Sequence, residues 1–269
     1  MPSPTATSCI SASPTNRFFH DTLLRPHPAL NLVEWRNKQK EPALEGAEEE
    51  IVRRAEQGDP PVFDDLFQAR LKDLFEWRRD VRRFRPEPVE ASLIETLIET
   101  AILAPSVGNS QPWRFVSVES LAGREAVLAS FETCNAAALK SYEGERAALY
   151  ASLKLAGLRE APVHLAVFCD HATDAGAGLG RKTMPETLDY SVVAAIHTFW
   201  LAARARNLGV GWVSILNPME ICQLLDVPVA WKLIAYLCVG FPMEEHIDPE
   251  LERHGWQAHL VNHAQLHRK

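Results

Sequence analysis

The chain has 269 residues, of which 46% are hydrophobic and 23% charged, and its formal net charge is −7. These values are ordinary for a globular protein with one large core or two modest ones. No stretch of the sequence approaches the roughly 18 consecutive apolar residues of a membrane span, and the negative charge argues against a nucleic acid partner.

The cysteines argue against a stabilising framework of disulfides or zinc. There are five, widely spaced and without a Cys-x-x-Cys pair: Cys9, Cys134, Cys169, Cys222 and Cys238. An odd and scattered set favours a reducing, cytoplasmic compartment. Residues 1–16 also lack the apolar core of a secretory signal peptide.

The first 62 residues differ in composition from the rest of the chain. They are rich in proline and contain the run Glu48-Glu49-Glu50, which predicts a partly disordered extension with one short helix over residues 43–57. A partner-docking arm is the alternative. Residues 63–245 are then predicted to form the folded domain, and residues 246–269 a C-terminal tail or arm.

The domain contains both helical and strand patterns. Helices are predicted over residues 64–77, 91–103 and 187–207, over 121–160 with a break near Gly144, and from Asn217 onward. Strands are predicted over residues 113–118, 163–169, 210–216 and 231–239. The two types do not alternate as βαβ units, so the predicted class is α+β, with a mostly antiparallel sheet flanked by helices. Neither a G-x-G-x-x-G nor a Walker fingerprint is present in the sequence.

A cluster of arginines follows the first of these helices. Five arginines occur among the eight residues from Arg78 to Arg85. Guanidinium groups match the geometry of phosphate oxygens, so Arg78, Arg79 and Arg82 are candidates for a phosphate site. An exposed basic face paired with neighbouring acids explains the pattern equally well.

One acid, Asp80, lies inside the arginine cluster. The surrounding positive charge predicts that its pKa is lowered and that it stays ionised. It is either a salt-bridge partner or a carboxylate that acts as a base.

Three further places carry polar side chains of interest. Residues 106–111 (Ser-Val-Gly-Asn-Ser-Gln) offer hydrogen-bonding groups to a flat ring, although an ordinary helix-to-strand loop is the alternative. Ser214 is a lone hydroxyl in an apolar strand, where most serines bond to backbone. The tail carries His259, His263 and His267 at spacings of four, but no carboxylate follows, and no functional metal site is predicted.

Several strings between Phe63 and Pro242 together resemble one family. They are the Arg78–Phe84 segment, Ala-Pro-Ser-Val-Gly-Asn-Ser-Gln-Pro-Trp at 104–113, Leu-Arg-Glu-Ala-Pro at 158–162, the segment 178–187, and Gly-Val-Gly-Trp-Val-Ser-Ile-Leu at 209–216. In these the chain resembles the 5,6-dimethylbenzimidazole synthase branch of the nitroreductase superfamily. Residues 1–62 lie outside that resemblance, and Gln257 stands where many members carry an arginine for phosphate, with Arg253 a loose substitute.

The resemblance implies a homodimer of intertwined α+β subunits with FMN at the subunit interface. It places Arg78, Arg79 and Arg82 at the flavin phosphate, and Ser106, Asn109 and Gln111 near the ring. Gly108 would leave room for dioxygen, and Lys154 would belong to a lid over the flavin. The implied flavin-binding set is completed by Asp80, Val81, Ser214 and Leu216.

The reaction that the resemblance implies consumes the flavin. Reduced FMN and dioxygen would yield 5,6-dimethylbenzimidazole, the lower ligand of cobalamin, and erythrose 4-phosphate. Asp80 would be the base and Ser214 a hydroxyl that steers protons, while a separate reductase would supply the reduced FMN. The alternatives are an NAD(P)H-dependent flavin reductase or nitroreductase, in which FMN survives, and a non-catalytic flavin-binding protein.

Overall fold

The structure is a computed structural model, and it describes residues 60–260 and 266–269 together with residues 53, 54, 57 and 58. The predicted extension therefore lies almost wholly outside the described residues, as does His263. Of the helix predicted over residues 43–57, only 53, 54 and 57 are described, and they are helical. The elements below belong to the compact unit Phe63–Lys269 and are numbered within it.

A four-stranded sheet organises this unit. Its strands are β1 (Trp113–Ser117), β2 (Val163–Asp170), β3 (Gly209–Val213) and β4 (Trp231–Gly240), in the order β1-β2-β4-β3. All three pairings are antiparallel, which confirms the predicted α+β class with an antiparallel sheet.

Seven α-helices accompany the sheet in the described residues of this unit. They are α1 (Asp65–Trp77), α2 (Ala91–Ala101), α3 (Leu121–Leu139), α4 (Gly144–Ser152), α5 (Thr187–Ala205), α6 (Pro218–Leu224) and α7 (Glu250–Arg253). Helix α1 begins after Asp64, whose side chain accepts a hydrogen bond from the Phe67 N–H. Helix α6 begins after Asn217 with proline at its first position, as predicted from the sequence.

The helix predicted over residues 121–160 extends too far. The break near Gly144 is confirmed, but the second helix ends at Ser152. The next residue is extended, and the carbonyl of Lys154 accepts a hydrogen bond from Arg82 instead of continuing a helix. Residues 153–160 are therefore an irregular segment that lies against the arginine cluster.

Alternate residues of the strands enter two different hydrophobic clusters. Leu165, Val167 and Cys169 of β2 join a cluster that contains α2 and α5, whereas Ala166 and Phe168 join one that contains residues of α3 and α6. All eight residues of β2 are consequently half-buried or buried on one face or the other, six of them fully. The sheet is the shared wall of both clusters.

Residues 80–84 extend this sheet beyond β3. Asp80 forms a parallel bridge with Val210, and the Val81 N–H donates to the Val210 carbonyl at 3.0 Å. A Cβ atom at Gly211 would lie 2.2 Å from the Val81 carbonyl oxygen. The close approach of these two backbones therefore requires glycine at this position.

The segment after β4 returns to the arginine cluster. Arg79 Nε donates to the Ile247 carbonyl at 2.7 Å, and Arg83 pairs with Glu250 of α7 at 2.8 Å. Further on, the Arg146 guanidinium lies 3.7 Å from the centre of the Trp256 ring. In the described part of the chain, no helix combines the length and apolarity needed to cross a membrane.

Candidate active site

The arginines proposed for phosphate binding have separate partners in the structure. The Arg78 guanidinium lies 5.0 Å from the centre of the Trp200 ring. Arg79 is held by the Ile247 carbonyl, and Arg82 donates to Asp80 and to the Lys154 carbonyl. Arg79 and Arg82 nevertheless line one polar pocket together with Arg204.

Asp80 is the most fully engaged side chain of this segment. Its Oδ1 accepts a hydrogen bond from the Trp212 N–H at 2.9 Å, and its Oδ2 accepts one from Arg82 Nε at 2.8 Å. Burial raises the pKa of this carboxyl, and the opposing effect of Arg82 and the Trp212 N–H does not cancel it. The predicted lowering of the pKa is therefore wrong in direction, because desolvation outweighs the nearby positive charge.

Lys154 connects this segment to the irregular segment 153–160. Its carbonyl accepts from Arg82 Nη1 at 2.9 Å, and its ammonium pairs with Glu160 Oε1 at 2.6 Å. The side chains of Lys154 and Glu160 are 30% and 36% exposed, so the pair lies at the margin of the surface. Lys154 thus lies beside the segment that carries Asp80, while its place in a lid over the flavin stays a prediction.

The loop at residues 106–111 is ordered by short hydrogen bonds. The Gln111 N–H donates to Ser106 Oγ at 3.1 Å, and the Val107 N–H donates to Ser191 Oγ at 3.0 Å. Asn109 and Gln111 are exposed and have positive φ values of 55° and 46°. Their amide side chains are therefore presented to the surroundings by an unusual backbone.

Two other residues of the loop are turned inward. Ser110 is 2% exposed, and its Oγ has no hydrogen-bond partner among the described residues. Gly108 has a φ of 58°, and a Cβ atom there would lie 2.9 Å from the Leu179 carbonyl oxygen. Packing against the 176–179 loop thus gives a local reason for glycine at position 108.

Ser214 and Leu216 follow β3 but differ in environment. Ser214 is exposed and comes directly after the last residue of β3, Val213. Leu216 is 9% exposed and belongs to the cluster that contains α3 and α6. Ser214 comes two residues after Trp212, the residue whose N–H binds Asp80.

The arginine segment and the 106–111 loop lie at diagonally opposite corners of the sheet. The arginine segment lies beside β3, at the height in the sheet where the register reaches Val163 of β2. The loop leads into Trp113 of β1, which is paired with Cys169 at the other end of β2. The two segments are separated by four strand spacings, or about 19 Å across the sheet, and by the six residues between Val163 and Cys169, or about 20 Å along the strands. A single subunit therefore does not bring the two candidate segments together.

The predicted residues thus fall into two groups. Arg78, Arg79, Asp80, Val81, Arg82, Lys154 and Ser214 belong to the β3 edge, and Ser106, Gly108, Asn109 and Gln111 to the β1 edge. Two groups that contact the predicted residues of the β3 edge were not predicted: the Trp212 N–H, which binds Asp80, and Glu160, which binds Lys154. Backbone donors have no signature in sequence, but Glu160 stands inside the Leu-Arg-Glu-Ala-Pro string and is the only acid of residues 153–162.

One cluster has the composition of a metal site. Ligand atoms of Cys169, His171 and Asp189 lie within 4.8 Å of one another. Asp189 already pairs with His171 at 2.8 Å and with the Lys232 ammonium at 2.5 Å. The Lys232 charge therefore occupies the position beside the carboxylate that a cation would need.

Comparison with known proteins identifies the family. The nitroreductase family model matches residues 75–241. The chain is 60% identical over 198 residues to a 5,6-dimethylbenzimidazole synthase of Rhodospirillum rubrum, which covers 74% of this chain and 94% of that protein. It is 48% identical to a 5,6-dimethylbenzimidazole synthase of Rhodobacter capsulatus, over 74% of this chain and 96% of that protein.

Solved structures share the fold at lower sequence identity. An iodotyrosine deiodinase bound to FMN and 3-iodo-L-tyrosine superposes with a TM-score of 0.59 at 23% identity, over 74% of this chain and 98% of that one. An NADH dehydrogenase or nitroreductase from Parabacteroides distasonis gives a TM-score of 0.53 at 18% identity, over 74% and 99%. The chain therefore belongs to the nitroreductase family, and within it to the group of 5,6-dimethylbenzimidazole synthases.

Proposed function

We propose that this protein converts reduced FMN and dioxygen into 5,6-dimethylbenzimidazole and erythrose 4-phosphate, and so supplies the lower ligand of cobalamin. The observation that carries the proposal is the 60% identity to the Rhodospirillum rubrum synthase across 94% of that protein. The flavin is the substrate in this reaction, and a separate reductase delivers it in reduced form.

The position of the candidate residues supports a homodimer with the flavin between subunits. The β3-edge and β1-edge groups lie at opposite corners of one sheet, so a complete site needs the β3 edge of one subunit and the β1 edge of its partner. Helix α1 also exposes apolar side chains, among them Leu66 at 58% and Phe75 at 46%. Such a surface is typical of one that a second copy covers.

The residues present suit a flavin mononucleotide. Arg78 and Arg79 offer guanidinium groups for its phosphate, and the exposed amides of Asn109 and Gln111 offer donors and acceptors for the edge of its ring. The buried and unpartnered Ser110 Oγ retains an unused hydrogen-bonding capacity beside them. When bound, reduced FMN would supply the dimethylbenzene ring with its two nitrogens and the ribityl carbon that bridges them, and the pyrimidine part of its ring system would be released as a separate fragment.

Asp80 is suited to the removal of a proton from the ribityl chain. A carboxylate with a raised pKa is a stronger base than an ordinary aspartate. The bonds from Arg82 and the Trp212 N–H fix its orientation before substrate arrives. Ser214, exposed two residues beyond Trp212, then orients the ribityl oxygens.

The decisive experiment mixes chemically reduced FMN, protein and air, and identifies the products by chromatography and mass spectrometry. We expect 5,6-dimethylbenzimidazole in proportion to the flavin consumed. Quantitative regeneration of FMN without benzimidazole would instead establish a flavin reductase. A protein that merely stores flavin would retain its absorbance in air.

A further inference from the structure

Glu160 belongs to a chain of contacts that ends at the candidate base. Its Oε1 holds the Lys154 ammonium at 2.6 Å, and the Lys154 carbonyl holds Arg82 Nη1 at 2.9 Å. Arg82 Nε in turn donates to Asp80 Oδ2 at 2.8 Å. Lys154 is therefore fixed at both ends, by its side chain and by its backbone.

The geometry of the Arg82 guanidinium allows this series of contacts to determine the orientation of Arg82 towards Asp80. The group is planar, so fixing Nη1 of Arg82 also fixes the direction in which Nε points. The Arg82 side chain is only 11% exposed and has little room for another orientation. Glu160 Oε2 is buried without a hydrogen-bond partner among the described residues. The ion pair of Oε1 with Lys154 therefore holds the carboxylate against the protein.

We propose that Glu160 is a positioning residue for Asp80, acting by anchoring Lys154, whose carbonyl holds Arg82 against the Asp80 carboxylate. The inference rests on the proposed function, because the position of Asp80 matters only if Asp80 acts on the substrate. Glu160 has no contact with Asp80 and is not itself placed at the reacting atoms.

The pH dependence of the reaction separates this role from a direct electrostatic one. Asp80 is faced by Arg82 from its own segment, by the Trp212 N–H of β3, by the Cys238 thiol of β4 and by Glu250 of α7. If Glu160 acted on Asp80 only through space, removal of its negative charge would lower the pKa of Asp80. Release of Arg82 would raise it, because the carboxylate would lose its cation.

The test measures benzimidazole formation from reduced FMN in air as a function of pH. We compare the wild type with Glu160→Gln and Glu160→Asp. For Glu160→Gln we expect a maximal rate lower by on the order of tenfold, an unchanged half-saturating concentration of FMN, and an acidic limb moved to higher pH. Glu160→Asp keeps the charge and should recover part of the rate.

The matched control is Glu132→Gln. Glu132 pairs with Arg159, the residue next to Glu160, at 2.5 Å on the exposed surface. This variant removes the same charge from an equivalent ion pair, and we expect the wild-type profile. In a Lys154→Met background, Glu160→Gln should have no further effect, because the connection is already broken.

Three results would overturn the inference: an unmoved acidic limb in Glu160→Gln, a limb moved to lower pH, or an undiminished effect in the Lys154→Met background. An active wild type with an unchanged Glu160→Gln profile would refute this inference alone. A wild type that forms no benzimidazole would refute the proposed function, and this inference with it.

Discussion

The two edges of the sheet present their polar residues in contrasting ways. At the β3 edge, Asp80 and Arg82 are bound to each other and to backbone groups, and their side chains are 31% and 11% exposed. At the β1 edge, Asn109 and Gln111 are exposed on a loop with positive φ values. The polar groups of the β3 edge are thus held in place by partners within the subunit, whereas the amides of the β1 edge are exposed to the surroundings. Substitutions at the two edges should therefore affect different kinetic quantities.

The largest effect is expected from Asp80→Asn at the β3 edge. Asparagine can still accept from the Trp212 N–H, but it cannot remove a proton, so product formation should fall by roughly 100-fold or more. Binding of FMN, measured by fluorescence quenching, should stay close to wild type. Asp226→Asn is the control, since Asp226 is exposed and its φ of 48° suits asparagine. Full turnover by Asp80→Asn would exclude Asp80 from the mechanism.

Mixed dimers test whether the two edges complete each other between subunits. Asp80→Asn and Gly108→Val are each expected to be inactive, but a heterodimer of the two has one site with both edges intact. Random reassociation should therefore recover about a quarter of wild-type activity. The control mixes Asp80→Asn with Arg82→Ala, which both damage the β3 edge and should give no recovery. No recovery in either mixture would place both edges of a site in one subunit.

A smaller effect, confined to binding, is expected from Gly108→Ala at the β1 edge. The new Cβ would lie 2.9 Å from the Leu179 carbonyl oxygen and displace the loop. We expect the dissociation constant for FMN to rise on the order of tenfold, equivalent to about 1.4 kcal/mol. Titration with FMN, combined with the rate at saturation, would measure both quantities.

The matched control for this loop is Gly144→Ala. Gly144 has a similar φ of 55°, but nothing lies within 4 Å of the position of its Cβ. Both variants share the strain of a left-handed backbone, of about 1 kcal/mol. Only Gly108→Ala should weaken FMN binding. An equal loss of affinity in both would attribute the effect to strain alone.

The smallest effect on activity is expected from a substitution of His164, which lies within the sheet. His164 of β2 is 1% exposed and shares a 3.0 Å hydrogen bond with the Tyr236 hydroxyl. Burial lowers the pKa of His164 to about 4. In the unfolded chain His164 binds a proton near pH 6.5, whereas in the folded protein it stays neutral down to about pH 4. The free energy of unfolding therefore decreases as the pH falls from 6.5 towards 4.

The loss attributable to His164 amounts to at most about 3 kcal/mol over this range. His164→Gln should remove this pH dependence of the free energy of unfolding while leaving activity at neutral pH unchanged. Urea denaturation at several pH values would measure it. His246→Gln is the control, because His246 is 37% exposed. An equally steep pH dependence in His164→Gln would assign the acid sensitivity to other groups.

Much of this architecture could be predicted from local patterns. The strands at 163–169 and 231–239 are continuous apolar runs, and Asp64 and Asn217 are recognisable helix caps, so their elements appear close to the predicted bounds. Each of these features depends on neighbouring residues only.

The features that could not be predicted depend on distant residues. Just beyond the end of helix α4 at Ser152, the Lys154 carbonyl accepts from Arg82, which is 72 positions away in the chain. The pKa of Asp80 is raised by burial of its carboxyl, and Asp80 lies against β3, which is more than 120 positions away in the chain. Proximity in sequence made Arg82 seem the dominant neighbour of Asp80. Similarly, segments 24 residues apart, at Arg82 and Ser106, lie at opposite corners because the strand order is not the chain order.

The contact between Gly211 and the Val81 carbonyl has a consequence for how this protein tolerates variation. The Asp80 carboxylate owes its location to Gly211, a position that has no side chain. A methyl group added there would move the entire edge segment outward, and Asp80 would separate from the amide that orients it. A random-mutagenesis screen for lost turnover should therefore find that substitutions at position 211 are tolerated as poorly as those at position 80, although glycine has no reactive side chain.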